Sequence, residues 1–409
     1  MERDRALTLR PAAEVGAGDA GHLRRLNLQR VLAVVMSHPS PFTRAELIEA
    51  TGLSAPTVGS LVAHLVRSGV VRDLGAGPSR GGRRPAFMEF NARHGFVASI
   101  DLGPTRTRLA VADLRGERLA HDVVPTPAGL PPTALLGQLA ESLRGLMRAA
   151  QVPQERLLAV AAGAPGAVDH RRGVVACAPN LEGWTEVAMR EILEQALGTT
   201  VIVENDVNLA VLGEHWRGAA RGHDTCAFIF VGTGIGAGIL IDGALHSGHH
   251  FMAGEIALMC MGPQYLDVDF GSRGCLETLA GLQALAARWP GADGRDPAQW
   301  LAELFDAARS GDRQARGAVE ETARLIGIAV ANVVAVVDPS LIVLGGALAQ
   351  AEPLVREVRN IVSRITRTPI EVVLSALGKE APLWGGLLVA TNEARGRLRQ
   401  RVRETRVAN

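Results

Sequence analysis

Two short helical patterns joined by one tight turn, followed by an arginine-rich loop, occupy Thr43 to Pro85 and constrain this chain more than any other stretch. Thr43 stands three residues before Glu46, the spacing of a capping box, so a helix is predicted over Arg44–Thr51 with Gly52 to end it. Ser54 caps a second helix, and Pro56 in its first turn gives up only an N–H that has no intrahelical partner. Val58, Leu61, Val62 and Leu65 recur at helical spacing and must face inward, which turns Thr57, Ser60, His64 and Arg67 outward. After Gly69, the runs Val70–Leu74 and Ala86–Asn91 flank the loop Gly75–Pro85 and predict a β-hairpin with Arg80, Arg83 and Arg84 at its tip. Arginines on so open a backbone can clasp phosphates or enter a minor groove. A helix-turn-helix pattern alone also occurs in helical proteins that touch no DNA, and a Gly/Arg loop alone is a solvated turn. Together, in winged order, they predict a reader of double-stranded DNA with Ser54, Thr57, Ser60 and His64 toward the major groove.

At 409 residues the chain exceeds one compact core, so two or three domains are expected. Its 47% hydrophobic residues and mean hydropathy of +0.14 suit a soluble globular protein. The formal charge of +1 hides an asymmetry: residues 1–95 carry 13 arginines against 8 acidic residues, and the remainder 30 basic against 34 acidic. A basic head on a mildly acidic body favours a nucleic-acid partner for the head and argues against adhesion of the whole chain to a membrane. Cys177, Cys226, Cys260 and Cys275 form no CxxC pair and read as reduced thiols, and the first residues lack an apolar signal segment, so a cytoplasmic location is expected. The apolar tract Leu325–Val337 is too short to span a bilayer and reads as a buried helix.

Residues 1–21 lack apolar periodicity and are expected to form a disordered arm. Leu26, Val31, Leu32 and Val35 then mark a helix over Leu23–Met36, completing a winged helix-turn-helix domain over 22–93. Beyond a short joint at His94 and Gly95, strand Phe96–Leu102 carries Asp101, and Gly103, Pro104 and Thr105 lead to a second strand, Leu109–Leu114. An Asp-x-Gly-x-Thr hairpin of this kind cradles phosphate with backbone N–H groups in actin-like nucleotide folds, and by itself is also an ordinary hairpin. Strand Leu157–Gly163 runs toward Gly166, and strand Val201–Val203 delivers Asn205 and Asp206 into a helix over Leu209–Trp216, where open α/β sheets place their ligands. Asp206 is thereby a candidate base or acceptor for a hydroxylated ligand, and equally a candidate N-cap. A second glycine-rich turn, Gly232, Thr233 and Gly234, follows strand Thr225–Val231 and predicts a two-lobed phosphate clamp.

With the motifs GGRRP, DLGPT, GAPGAVD, APNLEGW, ENDVN, VGTGIGAGI, AGEI, GSRGCLETLAG and DPSLIVLGGAL in this order, the chain from about Leu23 onward resembles the ROK family of repressors, open reading frames and sugar kinases. The resemblance implies an α/β chain: an N-terminal winged helix-turn-helix followed by a two-lobed actin-like (ribonuclease H-like) ATPase-fold domain. Lobe 1 would span 96–215 plus 381–398 and lobe 2 would span 216–380, assembled as a homodimer or homotetramer. It also places sugar contacts at Asn205, Asp206, Glu255 and Glu277, adds Asn180 to the effector set, and has Gly163 and Gly166 shape the cleft. Asp206 matches the general base of the family's kinases.

The departures from the family pattern are specific. GEIGH reads Gly254 to Leu258, so Leu258 replaces the histidine that would hold both sugar and zinc, and of the CxCGxxGC ligands only Cys275 remains. Structural zinc takes four donors, so no family-type zinc site, and no cofactor, is expected. The alternatives are a substitute site from Cys260, Cys275 and Asp267 or Asp269, or one from His246, His249 and His250. Pro104 stands where kinases carry a second glycine and has no N–H to offer phosphate. Asp101, Gly103, Thr105, Gly232, Thr233 and Gly234 therefore read as vestigial phosphate loops, with no catalytic residue expected. The expected function is a repressor of carbohydrate-metabolism genes that binds operator DNA through paired heads and responds to a sugar or sugar derivative. A sugar kinase retaining a DNA-binding head, or a regulator controlled by a protein partner, are the alternatives.

Overall fold

Thr43 and Glu46 close the capping box that their spacing requires: the Glu46 N–H donates to Thr43 Oγ1 at 3.3 Å and the Thr43 N–H to Glu46 Oε2 at 2.6 Å. The helix they begin, Arg44–Thr51, stops at Gly52, whose left-handed backbone (φ 65°) suits a residue without a Cβ. Our computed structural model describes residues 20–39, 41–76, 86–292, 295–350, 352–367 and 369–404. These fall into two units, 20–94 with 395–404, and 95–394.

In the first unit, Ser54 caps helix Ala55–Arg67, and Val58, Leu61, Val62 and Leu65 are buried as their spacing demands. Strands Val71–Ala76 and Ala86–Phe90 pair antiparallel, and Phe42–Thr43 adds a third strand on the other side of Ala86–Phe90. The loop tip with Arg80, Arg83 and Arg84 lies outside the described residues, as does the expected arm up to residue 19. Helix Ala20–Ser37 already contains residues 20 and 21, and it corrects the expected apolar stripe. Leu26 is 49% exposed, and Leu28, at 1%, joins Val31, Leu32 and Val35 in the core. Positions 28, 31, 32 and 35 follow the i, i+3, i+4, i+7 rule that keeps one face inward, and 26 falls off that face.

The second unit holds two five-stranded sheets built on one plan. In the first, Phe96–Leu102, Arg106–Asp113 and Arg118–Pro125 form an antiparallel meander, and Leu157–Ala164 and Thr200–Asn205 add in parallel on the other side of Phe96–Leu102. In the second, Cys226–Val231, Ile235–Ile241 and Ala244–Leu245 make the meander, and Leu341–Gly345 and Glu371–Leu374 the parallel pair. The turns after Leu102 and Val231 therefore emerge at the C-terminal ends of the parallel strands, where such sheets bind ligands. Every residue of Phe96–Leu102 is buried, as expected for a strand covered on both faces. Helix Pro132–Ala149 buries Leu135, Leu136, Leu139, Leu143 and Met147 in the core of the first sheet. The tract Leu325–Val337 is the end of helix Arg313–Val337, with Val330 and Val333 buried and Val336 exposed. Among the described residues no helix is long and apolar enough to cross a membrane.

The corrected register carries a stability prediction. Leu28→Ala should cost about 2–5 kcal/mol through the cavity it leaves, whereas Leu26→Ala should stay within about 0.5 kcal/mol. Urea unfolding of the full chain, followed by a probe in the first unit, checks this; equal costs at the two positions would contradict the register.

Candidate functional site

Strand Thr200–Asn205 passes directly into helix Asp206–Arg217, and Asn205 makes the switch. Its extended backbone lets Oδ1 accept from the N–H groups of Val207 and Asn208 at 2.9 and 3.0 Å, while Nδ2 donates to the Gly166 carbonyl at 2.9 Å. Asn205 rather than Asp206 is thus the N-cap, and only one of its amide hydrogens is left for a ligand. Glu204, which sequence reasoning passed over, accepts from the Asn205 N–H at 2.8 Å and from Asn208 Nδ2 at 2.9 Å, fixing the turn from below.

Asp206 faces a cleft of about 1590 Å³ that both sheets line. Burial, with the charges of Asp101 and Glu255 adding to it, pushes its carboxyl up to about 8, although the Val207 N–H donates to it. Glu255 is also pushed up, by burial and by Glu277; Glu277 is pushed up by burial, which its bond from the Ile235 N–H at 3.0 Å opposes. Near neutral pH Asp206 therefore keeps its proton, and a protonated carboxyl both donates to and accepts from a hydroxyl. Asn180 belongs to the same wall: a Cβ on Gly234 would lie 3.2 Å from Glu277 Oε2 and 3.6 Å from Asn180 Nδ2. Gly166 sits at φ 81°, where a Cβ would fall 2.2 Å from the Cys177 carbonyl oxygen. Gly163 is not itself among the residues that line the cleft. It is the close-packing point behind it, where a Cβ would meet Leu209 Cδ1 at 2.9 Å.

The two glycine-rich turns face the same cleft, Asp101, Gly103 and Thr105 from one sheet and Gly232, Thr233 and Gly234 from the other. The second turn closes on itself, its Gly232 N–H donating to the Gly234 carbonyl at 2.9 Å. In the first, Arg108 Nη1 donates to Asp101 Oδ2 at 3.3 Å, and burial pushes Asp101 up to about 6 against that guanidinium. Arg108 was not singled out in the sequence, although a tight turn after Leu102 puts it opposite Asp101. Phe251 was missed as well: it lines the cleft with φ 60°, a left-handed backbone unusual for a bulky residue, and its ring packs edge-to-face with His170 at 4.7 Å.

On the helix Ala55–Arg67, Ser54 and Ser60 are exposed and Thr57 and His64 half-buried. Ser54 Oγ receives the Thr57 N–H and lies 2.9 Å from Thr57 Oγ1, so Ser54 acts first as the cap. Arg24 donates to Ser60 Oγ at 3.4 Å, bringing a cation beside this face. Burial, then Arg67 and Arg24, hold His64 below the usual histidine range, so it presents a neutral ring.

Residues 97–393 match the ROK family and residues 27–75 the IclR helix-turn-helix domain. The chain belongs to the ROK family. It is 29% identical over 338 residues to the xylose repressor of Caldicellulosiruptor bescii, covering 79% of this chain and 83% of that protein. It is 33% identical over 312 residues to the glucokinase of Streptomyces coelicolor, covering 71% of this chain and 96% of that protein. A solved ROK family transcriptional regulator, a homologue of the E. coli MLC protein, superposes with a TM-score of 0.75 at 24% identity over 94% of this chain and 100% of its own, which shows a shared fold.

The residues at the position of the ROK zinc site do not fit the ion. Leu258 is half exposed and offers no donor atom, Cys275 is buried with its sulfur accepting the Met261 N–H, and the Cys260 thiol is directed to the Gly262 carbonyl. Among the described residues no three His, Cys, Asp or Glu side chains converge on one point, whether from Cys260, Cys275, Asp267 and Asp269 or from His246, His249 and His250.

The raised Asp206 carboxyl has a pH signature. Its folded value lies above its ordinary one, so the stability it contributes is complete below about pH 4 and is lost as pH rises toward 8. Asp206→Asn cannot ionise, so the melting temperature of the variant relative to the parent should climb between pH 5 and pH 9. A difference that stays constant across that range would contradict the burial of this carboxyl.

Proposed function

We propose that the chain is a DNA-binding transcriptional repressor of carbohydrate-metabolism genes, whose hold on operator DNA is set by a sugar or sugar derivative in the cleft. The observation that carries this reading is the presence in one chain of an exposed, Ser54-capped second helix and a cleft whose wall includes Asn180, Asp206, Glu255 and Glu277. The first module supplies a helix whose N-terminal turn suits a major groove. The second supplies donors and acceptors for several hydroxyls. Similarity to a xylose repressor supports xylose as the first effector to try. Working as a homodimer or homotetramer in the cytoplasm, the protein would present paired heads to half-sites spaced by a helical turn or a multiple of it. The sugar must then bind one arrangement of the heads more tightly than the other.

A second reading, a sugar kinase with a DNA-binding head, is favoured by Asp206 and by the likeness to a glucokinase. Against it stand Pro104, which has no N–H for phosphate, and Leu258 in place of a sugar-binding histidine. We therefore assign no catalytic role to Asp206. Incubation with ATP, magnesium and a panel of hexoses and pentoses should yield no sugar phosphate; product formation that Asp206→Asn abolishes would establish the kinase instead.

Fluorescence anisotropy with promoter fragments of sugar genes tests the regulator. A preference over random duplex that weakens steeply with salt is expected. Thr57→Ala or Ser60→Ala should weaken that preference by about 1–3 kcal/mol for a lost base contact, roughly fivefold to a hundredfold. Glu255→Ala should leave sugar-free DNA binding intact and remove the response to sugar. No preference for any promoter fragment would refute the reading.

A further inference from the structure

We propose that Arg108 is a resident cation at the first phosphate turn, occupying at Asp101 the place a divalent metal would need, so that the cleft takes its ligand without metal. The topology puts it there. Asp101 and Arg108 are directly opposed across the antiparallel pair Phe96–Leu102 and Arg106–Asp113, so both side chains leave the same face of the sheet. That face is the wall of the cleft, which both residues line. The Arg108 guanidinium donates to Asp101 Oδ2 at 3.3 Å, and the pair is largely removed from solvent, with side-chain exposures of 22% and 6%.

A carboxylate in this position is the only charged group the turn has for a metal, since neighbouring Gly103, Pro104 and Thr105 bear none. Once a partly buried guanidinium lies against it, an incoming dication meets a like charge where water screens less than in bulk. The backbone of the turn also offers a phosphate one donor fewer, since Pro104 has no N–H. The same guanidinium has a second effect. It opposes the burial that raises Asp101, and so keeps charged the carboxylate that helps to raise Asp206. Arg108 is in this sense a specificity-determining residue: it lets acids gathered on a phosphotransfer plan face an uncharged polyol. The inference is independent of whether the head binds DNA.

The test uses the full chain and Mn²⁺ alone, with free Mn²⁺ read by electron paramagnetic resonance. The parent should show no site that depends on Asp101. Arg108→Leu should gain one site binding Mn²⁺ at least tenfold more tightly, and adding Asp101→Asn should remove it, which separates the cleft from adventitious surface sites. Arg108→Lys, which keeps the charge, should still exclude the ion. If the parent already binds Mn²⁺ through Asp101, or if a folded Arg108→Leu gains nothing, the proposal fails. Should Arg108→Leu not fold, Arg108→Gln is read by the same criteria.

Discussion

The helix Asp206–Arg217 is the piece on which the body depends, because polar side chains fix it at both ends. At its start, the Asn205 amide ties the first turn to the Gly166 carbonyl. Near its end, the Glu214 carboxylate is wholly buried and accepts from Ala219 N–H at 2.7 Å, Leu377 N–H at 3.0 Å, Ala376 N–H at 3.3 Å and the Ser375 hydroxyl. A buried carboxylate so fully satisfied is far better tolerated than one left short of donors. Between the two ends the helix is packed to backbone distance. A Cβ on Gly213 would lie 2.2 Å from the Ala381 carbonyl oxygen, and one on Gly385 would lie 1.8 Å from that of Leu209. On the side of the second sheet, a Cβ on Gly238 would lie 2.5 Å from the Val207 carbonyl oxygen. Asp206, which faces the cleft, and Glu214, which holds the segment after the second sheet's last strand, therefore ride on one helix.

The electrostatics of the cleft follow from this packing. Asp101, Asp206, Glu255 and Glu277 face a common space, Asp101 and Glu277 pushed up by burial, and Asp206 and Glu255 by burial together with a neighbouring acid's charge. Such a site favours hydroxyl groups, which exchange hydrogen bonds with a protonated carboxyl, and disfavours added negative charge. It is the opposite of the head, where burial, and then the nearby Arg67 and Arg24, hold His64 below its ordinary range. The acidic body and basic head legible in the composition thus have separate local causes.

Much of this could be read before the structure was seen. The capping box at Thr43 and Glu46, the Ser54 cap and the buried face of its helix rest on local chemistry that acts over three or four residues. The sites that escaped were decided by longer-range geometry. Whether Asn205 or Asp206 caps the helix depends on where the strand's extended backbone ends, since either side chain could serve. Arg118–Pro125 has no buried residue, so a strand at the edge of a sheet left no alternating pattern to find. Gly163 is assigned to the cleft by the family resemblance alone, and the room its missing side chain leaves is taken by Leu209 behind the wall. Arg108 acquires its meaning only from the partner across the hairpin.

The claim that joins these parts is that sugar in the cleft and DNA on the head report to one equilibrium. Linkage then requires that each ligand weaken or strengthen the other by the same factor. The direct measurement is the calorimetric affinity of the full chain for its sugar, taken alone and again with saturating operator duplex. The account predicts a shift in sugar affinity equal to the shift in operator affinity that the same sugar causes. An affinity for sugar unchanged by bound operator would contradict it.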